Sequence, residues 1–78
     1  MKVVYHPAAK KALNRMPARD RDAIEAKLLR FAETGQGDVK KLAGSDECRM
    51  RIGVWRAIFV LVDDMLVLRV AHRREAYR

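Results

Sequence analysis

Residues 48–77 read CRMRIGVWRAIFVLVDDMLVLRVAHRREAY and contain two short turn candidates, Gly53-Val54 and Asp63-Asp64. The segments before, between and after these turns are rich in β-branched and aromatic residues, and charged residues recur in them at alternate positions. This pattern predicts three consecutive antiparallel strands, which together form a β-meander.

The register of the predicted meander follows from its turns. If both turns are two-residue hairpin loops, Ile52 pairs with Trp55 and Val62 pairs with Met65, and directly paired residues share a face of the sheet. One face is then predicted to carry Arg49, Arg51, Arg56, Ile58, Val60, Val67, Arg69, Ala71 and Arg73. The opposite, uncharged face is predicted to carry Cys48, Met50, Ile52, Trp55, Ala57, Phe59, Leu61, Leu66, Leu68 and Val70.

Five arginines on one face of a small sheet indicate a binding surface. Like charges on neighbouring strands repel each other, so this arrangement is not expected to stabilise the fold. A solvated basic face is the alternative, and it suffices for one or two such residues. For all five, an extended anion such as a phosphate backbone is the preferred interpretation.

The N-terminal half predicts a strand followed by two helices. Residues 2–5 are β-prone, Pro7 opens a helix that runs to Arg15, and Pro17 opens a second helix that stops at Gly35. The apolar residues of each helix fall on one stripe, which is suited to covering the uncharged face of the meander. The fold class is therefore α+β, with an N-terminal strand, an αα-hairpin and an antiparallel meander, and with the helices packed on one sheet face.

Composition predicts one compact basic domain over residues 1–78. The formal net charge of +7 favours an acidic partner such as nucleic acid or an acidic protein. The single cysteine, Cys48, excludes an internal disulfide and fits a reducing compartment, which predicts a cytoplasmic protein. The longest apolar runs are too short to span a bilayer, so no membrane partner is expected.

Three segments in this order resemble the RelE/ParE superfamily of bacterial toxins: DVKKLAG at 38–44, CRMRIGVWRAIF at 48–59 and VAHRREAY at 70–77. The resemblance covers almost the whole chain and is closer to the RelE branch. It implies a toxin of a type II toxin–antitoxin system that binds the A site of the 70S ribosome and cuts mRNA through attack of a ribose 2′-OH on the neighbouring phosphate. It implies no metal or other cofactor.

The same resemblance suggests residue roles. Arg56, Arg73 and Tyr77 are the catalytic candidates, and Arg49 and Arg51 are candidates for holding the RNA. Arg69, from the same face, and Lys41, from the extended segment before the meander, complete the predicted RNA-binding set. Tyr77 is equally well explained as a C-terminal aromatic side chain that packs on the sheet edge.

Several alternatives stay open at this stage. A ParE-like inhibitor of DNA gyrase would have the same fold, and so would a non-toxic module whose basic face only holds an antitoxin. The toxin hypotheses imply a cognate antitoxin. Whether the toxin–antitoxin complex also binds operator DNA is left open. His72 is expected to be half-buried, and Asp63 and Asp64 are interpreted as turn residues in preference to a metal site.

Overall fold

A computed structural model describes residues 1–75 of the chain. Five strands and two helices follow in the order β1 (Val3–Tyr5), α1 (Pro7–Arg15), α2 (Ala18–Thr34), β2 (Val39–Lys41), β3 (Cys48–Ile52), β4 (Trp55–Val62) and β5 (Asp64–His72). The strands form one sheet in the order β1-β5-β4-β3-β2. The predicted α+β architecture is confirmed.

The helices begin and end where the turn and cap residues predict. Pro7 occupies the first turn of α1, where its missing N–H is not needed, and the His6 Nδ1 accepts a hydrogen bond from the Ala8 N–H at 3.1 Å. Pro17 precedes α2, and Gly35 ends it in the left-handed conformation with φ 76°. Local signals therefore set the ends of both helices, while packing of their apolar stripes on the sheet stabilises them.

The core lies between the helices and the uncharged sheet face. Ala9, Leu13, Ile24 and Leu28 contribute the helix side, and Phe59 is the largest fully buried side chain of the sheet side. The Phe59 ring lies 5.4 Å from the ring of Phe31, centroid to centroid. Burial of these side chains removes apolar surface from water, which stabilises the fold by about 25 cal/mol per Å² of buried apolar surface. The other face of the sheet carries no helix within the described residues.

The β3–β4 hairpin has the predicted register. Ile52 pairs with Trp55, and Arg51 pairs with Arg56 across the Gly53-Val54 turn. Gly53 has φ 59°, which suits the first turn position of a type II′ hairpin, where glycine carries no steric penalty.

The β4–β5 turn differs from the prediction. Val62 pairs with Asp64, not with Met65, because Asp63 alone makes the turn in the left-handed conformation with φ 63°. Aspartate is among the non-glycine residues that tolerate this conformation.

A β-bulge restores the predicted register in the parts of β4 and β5 that carry Arg56 and Arg69. Ile58 pairs with Arg69, as predicted, but Phe59 pairs with Val67, which leaves Leu68 as the extra residue of the bulge. The predicted position of Val67 on the arginine face is therefore wrong, since Val67 is fully buried beside Phe59. Leu66, predicted on the uncharged face, instead pairs with Val60 on the other face.

The two short strands form the edges of the sheet. β1 lies parallel to β5, with Val4 beside Leu66, and β2 lies antiparallel to β3, with Val39 beside Met50. Parallel pairing of β1 with β5 has no signature in the local sequence, because it joins the first strand to the last.

Neither helix is long and apolar enough to cross a membrane within residues 1–75.

We expect Gly53→Ala to lower the free energy of unfolding by about 1 kcal/mol, because a β-carbon is strained at positive φ. Gly53→Asn is expected to lose less, since asparagine tolerates this conformation. Chemical denaturation measures both. An equal loss in the two variants would contradict the conformational explanation, because the space around Gly53 is open to a β-carbon.

We expect Tyr5 to make the fold sensitive to alkali. Burial, with a smaller contribution from the Glu25 carboxylate, raises the pKa of Tyr5 to about 12. A folded-state pKa above the unfolded value gives stability that is fully present below about pH 10 and is lost as the pH rises through about 12. Unfolding free energies measured across this interval should fall more steeply for the wild type than for Tyr5→Phe. Parallel curves for the two proteins would contradict the prediction.

Candidate functional site

Basic side chains form two rows across the face that the helices leave uncovered. In the first row Lys40 pairs with Arg49, Arg49 with Ile58, and Ile58 with Arg69, from β2 to β5. In the second row Arg51 pairs with Arg56, and Arg56 with Ala71. Neighbouring strands lie about 4.8 Å apart, so each row brings cations within reach of one extended anion.

A cavity of about 250 Å³ opens where the two rows meet near β2. It is lined by Asp38, Lys40, Arg49, Arg51 and Arg56. Four of these side chains are cationic and one is a carboxylate, which leaves a formal excess of three positive charges (4 − 1). A concave site with an excess of one sign of charge focuses its field on an incoming counter-ion.

Arg51 is held by Asp38. The Arg51 Nε–H donates to the Asp38 Oδ2 at 2.7 Å, and the Arg51 backbone N–H donates to the Asp38 carbonyl oxygen at 2.9 Å. This contact uses neither terminal nitrogen of the guanidinium. Asp38 belongs to the DVKKLAG segment, but sequence patterns predict no role for it at the site.

Arg56 is held by its own hairpin. Its Nη1 donates to the carbonyl oxygens of Gly53 at 2.9 Å and of Trp55 at 2.8 Å. A guanidinium carries five N–H donors in a rigid plane, so the contacts orient the group and still leave donor capacity for an anion. Arg56 is also half-buried, which limits the freedom that it would lose on binding.

Ile58 is an apolar residue within the first basic row. It is only 8% exposed, although it lies on the face opposite the helices, between Arg49 and Arg69. The aliphatic stems of long basic side chains can cover such a residue while their charged ends stay in water. Ile58 thereby separates the basic groups of β3 from that of β5.

The remaining predicted site residues are spread more widely. Arg69 shares the first row, whereas Arg73 is exposed just beyond β5, where its backbone N–H donates to the carbonyl oxygen of Val54 at 2.7 Å. Tyr77 lies outside the described residues. Lys41 pairs with Cys48, so its backbone position belongs to the opposite face, and Lys40 instead lines the cavity.

Two further predictions from the sequence concern His72 and a metal site. His72 is half-buried, as predicted, and meets Trp55 edge-on with 5.6 Å between the ring centroids. Its Nδ1 accepts a hydrogen bond from the Arg74 backbone N–H at 3.3 Å. Over residues 1–75, no group of three or more histidine, cysteine, aspartate or glutamate side chains is arranged to hold a metal ion.

Comparison with protein families identifies the chain. Residues 3–77 match the family described as the ParE toxin of the type II toxin–antitoxin system parDE. The chain belongs to this toxin family. No curated protein shows significant sequence similarity to the toxin.

Solved structures show the same fold. The toxin superposes on a chain of the RelB-RelE antitoxin–toxin complex from Methanococcus jannaschii with a TM-score of 0.78 and 22% identity, covering 95% of the toxin and 94% of that chain. For the intact RelBE complex of E. coli the TM-score is 0.75 and the identity 18%, with 90% and 93% covered. For the RelE-RelB complex of Pyrococcus horikoshii OT3 these values are 0.69 and 26%, with 96% and 97% covered.

These similarities confirm that the toxin belongs to the RelE/ParE superfamily. The matching family carries the ParE name, whereas the similar structures carry the RelE name. Superfamily membership and fold thus agree with the resemblance seen in the sequence.

We expect inorganic phosphate to stabilise the toxin through the cavity. At constant ionic strength, exchanging chloride for phosphate should raise the Tm by roughly 5 °C, which corresponds to about 1 kcal/mol for a domain of this size. Arg49→Gln/Arg56→Gln should lose most of this increment, as measured by thermal unfolding. Lys10→Gln/Lys11→Gln removes two exposed positive charges from α1 and is the matched control. Equal increments in the two double variants would show that phosphate acts generally and not at the cavity.

Proposed function

We propose that this toxin is a cytoplasmic, ribosome-dependent mRNA interferase. The observation that carries the proposal is the cationic cavity, in which Lys40, Arg49, Arg51 and Arg56 converge on the face without helices. Phosphate is an anion that guanidinium groups bind well, because two N–H groups of one guanidinium can meet two phosphate oxygens. The arrangement suits an RNA backbone that crosses the strands.

The proposed reaction is transfer of a phosphodiester within the RNA. The 2′-oxygen forms a bond to the adjacent phosphorus, the bond from phosphorus to the 5′-oxygen breaks, and the products are a 2′,3′-cyclic phosphate and a 5′-hydroxyl. The 2′-OH loses a proton and the leaving oxygen gains one. The step consumes no oxidant, reductant or further substrate.

Guanidinium groups fit the charge that develops in this reaction. The pentacoordinate transition state gathers negative charge on the phosphoryl oxygens, and donors fixed before the reaction stabilise it most. Arg56 is the best-oriented candidate, since two backbone carbonyls already hold its Nη1. Arg49 and Arg51 would bind flanking phosphates together with Lys40, and Arg69 extends the same row.

Arg73 and Tyr77 complete the proposed catalytic group. The backbone contact of Arg73 with Val54 places the start of the C-terminal segment beside the hairpin that holds Arg56. Arg73 would add positive charge at the transition state, and Tyr77 would orient or deprotonate the 2′-OH. Histidine, the commonest general base, does not line the cavity among the described residues.

A cognate antitoxin is the proposed protein partner. The similar structures from three organisms are toxin–antitoxin complexes. A net charge of +7 suits an acidic or amphipathic segment of an antitoxin as well as it suits RNA. Such a segment laid over the basic rows would occlude the cavity and add stability by mass action.

Inhibition of DNA gyrase is the second candidate function. The observation that favours it is the match of residues 3–77 to a family named for ParE. An inhibitor has no requirement for phosphate-binding side chains that converge on one cavity, and therefore the geometry favours the nuclease. The two functions make different predictions for the same variant.

We expect primer extension on mRNA in a translating extract to reveal new 5′ ends at A-site codons when the toxin is added. Arg56→Ala/Arg73→Ala should reduce the formation of these ends by about 100-fold or more, because it removes two guanidinium groups that would stabilise the transition state. Lys10→Ala/Lys11→Ala has the same change in charge and should retain cleavage.

The outcomes separate the two candidate functions. Cleavage of the same mRNA without ribosomes would argue against dependence on the ribosome. Intact mRNA, together with a circular dichroism spectrum of folded toxin, would contradict the nuclease proposal. Stabilised gyrase–DNA cleavage complexes in the same preparation would then support the ParE-like function.

A further inference from the structure

Asp38 places a negative charge inside a cavity that is otherwise cationic. It lies immediately before β2 and meets Arg51 through the backbone contact at 2.9 Å and the carboxylate contact at 2.7 Å. The first contact fixes the two residues as neighbours across the sheet edge. The second fixes the direction of the guanidinium plane through Nε, while the terminal nitrogens are not used by it.

The pair is open to a ligand. The Arg51 and Asp38 side chains are 63% and 59% exposed. Ion pairs exposed to this degree contribute little to folding, since solvent screens them and two long side chains have to be ordered. The Asp38 carboxylate is therefore not needed to hold β2 on β3, which the backbone pairing already does.

A carboxylate at this position has two opposing effects on a bound phosphate. It orients Arg51 before the ligand arrives, which reduces the freedom lost on binding and places the donors for reaction. It also repels the phosphate and competes with it for the same guanidinium. The first effect favours turnover, whereas the second weakens affinity.

Resting on the proposed function, we infer that Asp38 is a positioning residue for cleavage. It acts through Arg51 by holding the guanidinium with its terminal nitrogens directed to an RNA phosphate, and it lowers the affinity for RNA in return. This role is distinct from that of the arginines, because Asp38 itself does not contact the reacting phosphate.

Two substitutions separate these effects. Asp38→Asn removes the charge but keeps an amide oxygen that can accept from the Arg51 Nε–H, whereas Asp38→Ala removes both. Asp46→Asn is the matched control, because Asp46 is exposed in the loop before β3 and lines other cavities. Each variant is assayed for kcat and KM on ribosome-bound mRNA, and for affinity toward a fluorescein-labelled single-stranded RNA without ribosomes.

The expected pattern distinguishes orientation from charge. Asp38→Ala should lower kcat about tenfold, since the guanidinium is no longer oriented, while Asp38→Asn should stay within about threefold of the wild type. Asp38→Asn should bind the single-stranded RNA about threefold more tightly, because one repelling charge is gone while Arg51 stays oriented. Asp46→Asn should leave kcat unchanged. In an Arg51→Lys background, Asp38→Ala should have no further effect on kcat, because the group that it orients is absent.

Three results would overturn the inference. They are a wild-type kcat for Asp38→Ala, an equal loss of kcat in Asp38→Asn and Asp38→Ala, and unchanged or weaker RNA binding by Asp38→Asn. The last result decides even if Asp38→Ala does not fold, since Asp38→Asn keeps both acceptors of Arg51. Absence of cleavage by the wild-type toxin would instead contradict the proposed function, and the positioning role would fall with it.

Discussion

Burial of one face of β4 between its neighbouring strands and the two helices is the constraint on which the rest of the structure depends. Ala57 and Phe59 are completely buried on that face, and Met50 and Val67 lie beside them on the flanking strands. Because side chains alternate along a strand, burying these residues forces Arg56 and Ile58 onto the other face. The position of the basic rows is thus a consequence of how the core packs.

The bulge at Leu68 reconciles two requirements of β5. Near the turn, Met65 and Val67 must face the helices, and nearer the C-terminal end Val70 must do so as well. The first two residues have odd numbers and the third an even one, so a regular strand cannot bury all three. One extra residue shifts the alternation, which keeps the core apolar and leaves Arg69 in the basic row.

The basic face is an arrangement that folding alone does not favour. Arg51 and Arg56 are directly paired across two strands, where like charges are destabilising. The structure moderates this repulsion by giving Arg51 a carboxylate and Arg56 two backbone carbonyls. Both arginines are consequently oriented before any ligand arrives, which suits the phosphate binding proposed for this face. These neighbouring groups lower the repulsion between the two arginines, and the Asp38 carboxylate offsets one of their charges.

Sequence patterns determined whatever depends on neighbouring residues. Helical periodicity with proline and glycine boundaries located α1 and α2, and a two-residue turn at Gly53 set Arg51 opposite Arg56. Tertiary structure decided whatever joins distant segments: the parallel pairing of β1 with β5, the bulge, and the pairing of β2 that brings Asp38 and Lys40 to the arginines. The alternation of charged and apolar residues in Asp38-Val39-Lys40 matches that in Arg49-Met50-Arg51. That match indicates pairing only once β2 is known to lie beside β3. Local propensities act over a few residues, whereas edge pairing and register depend on how the whole core packs, and that is why the cavity exists only in the folded chain.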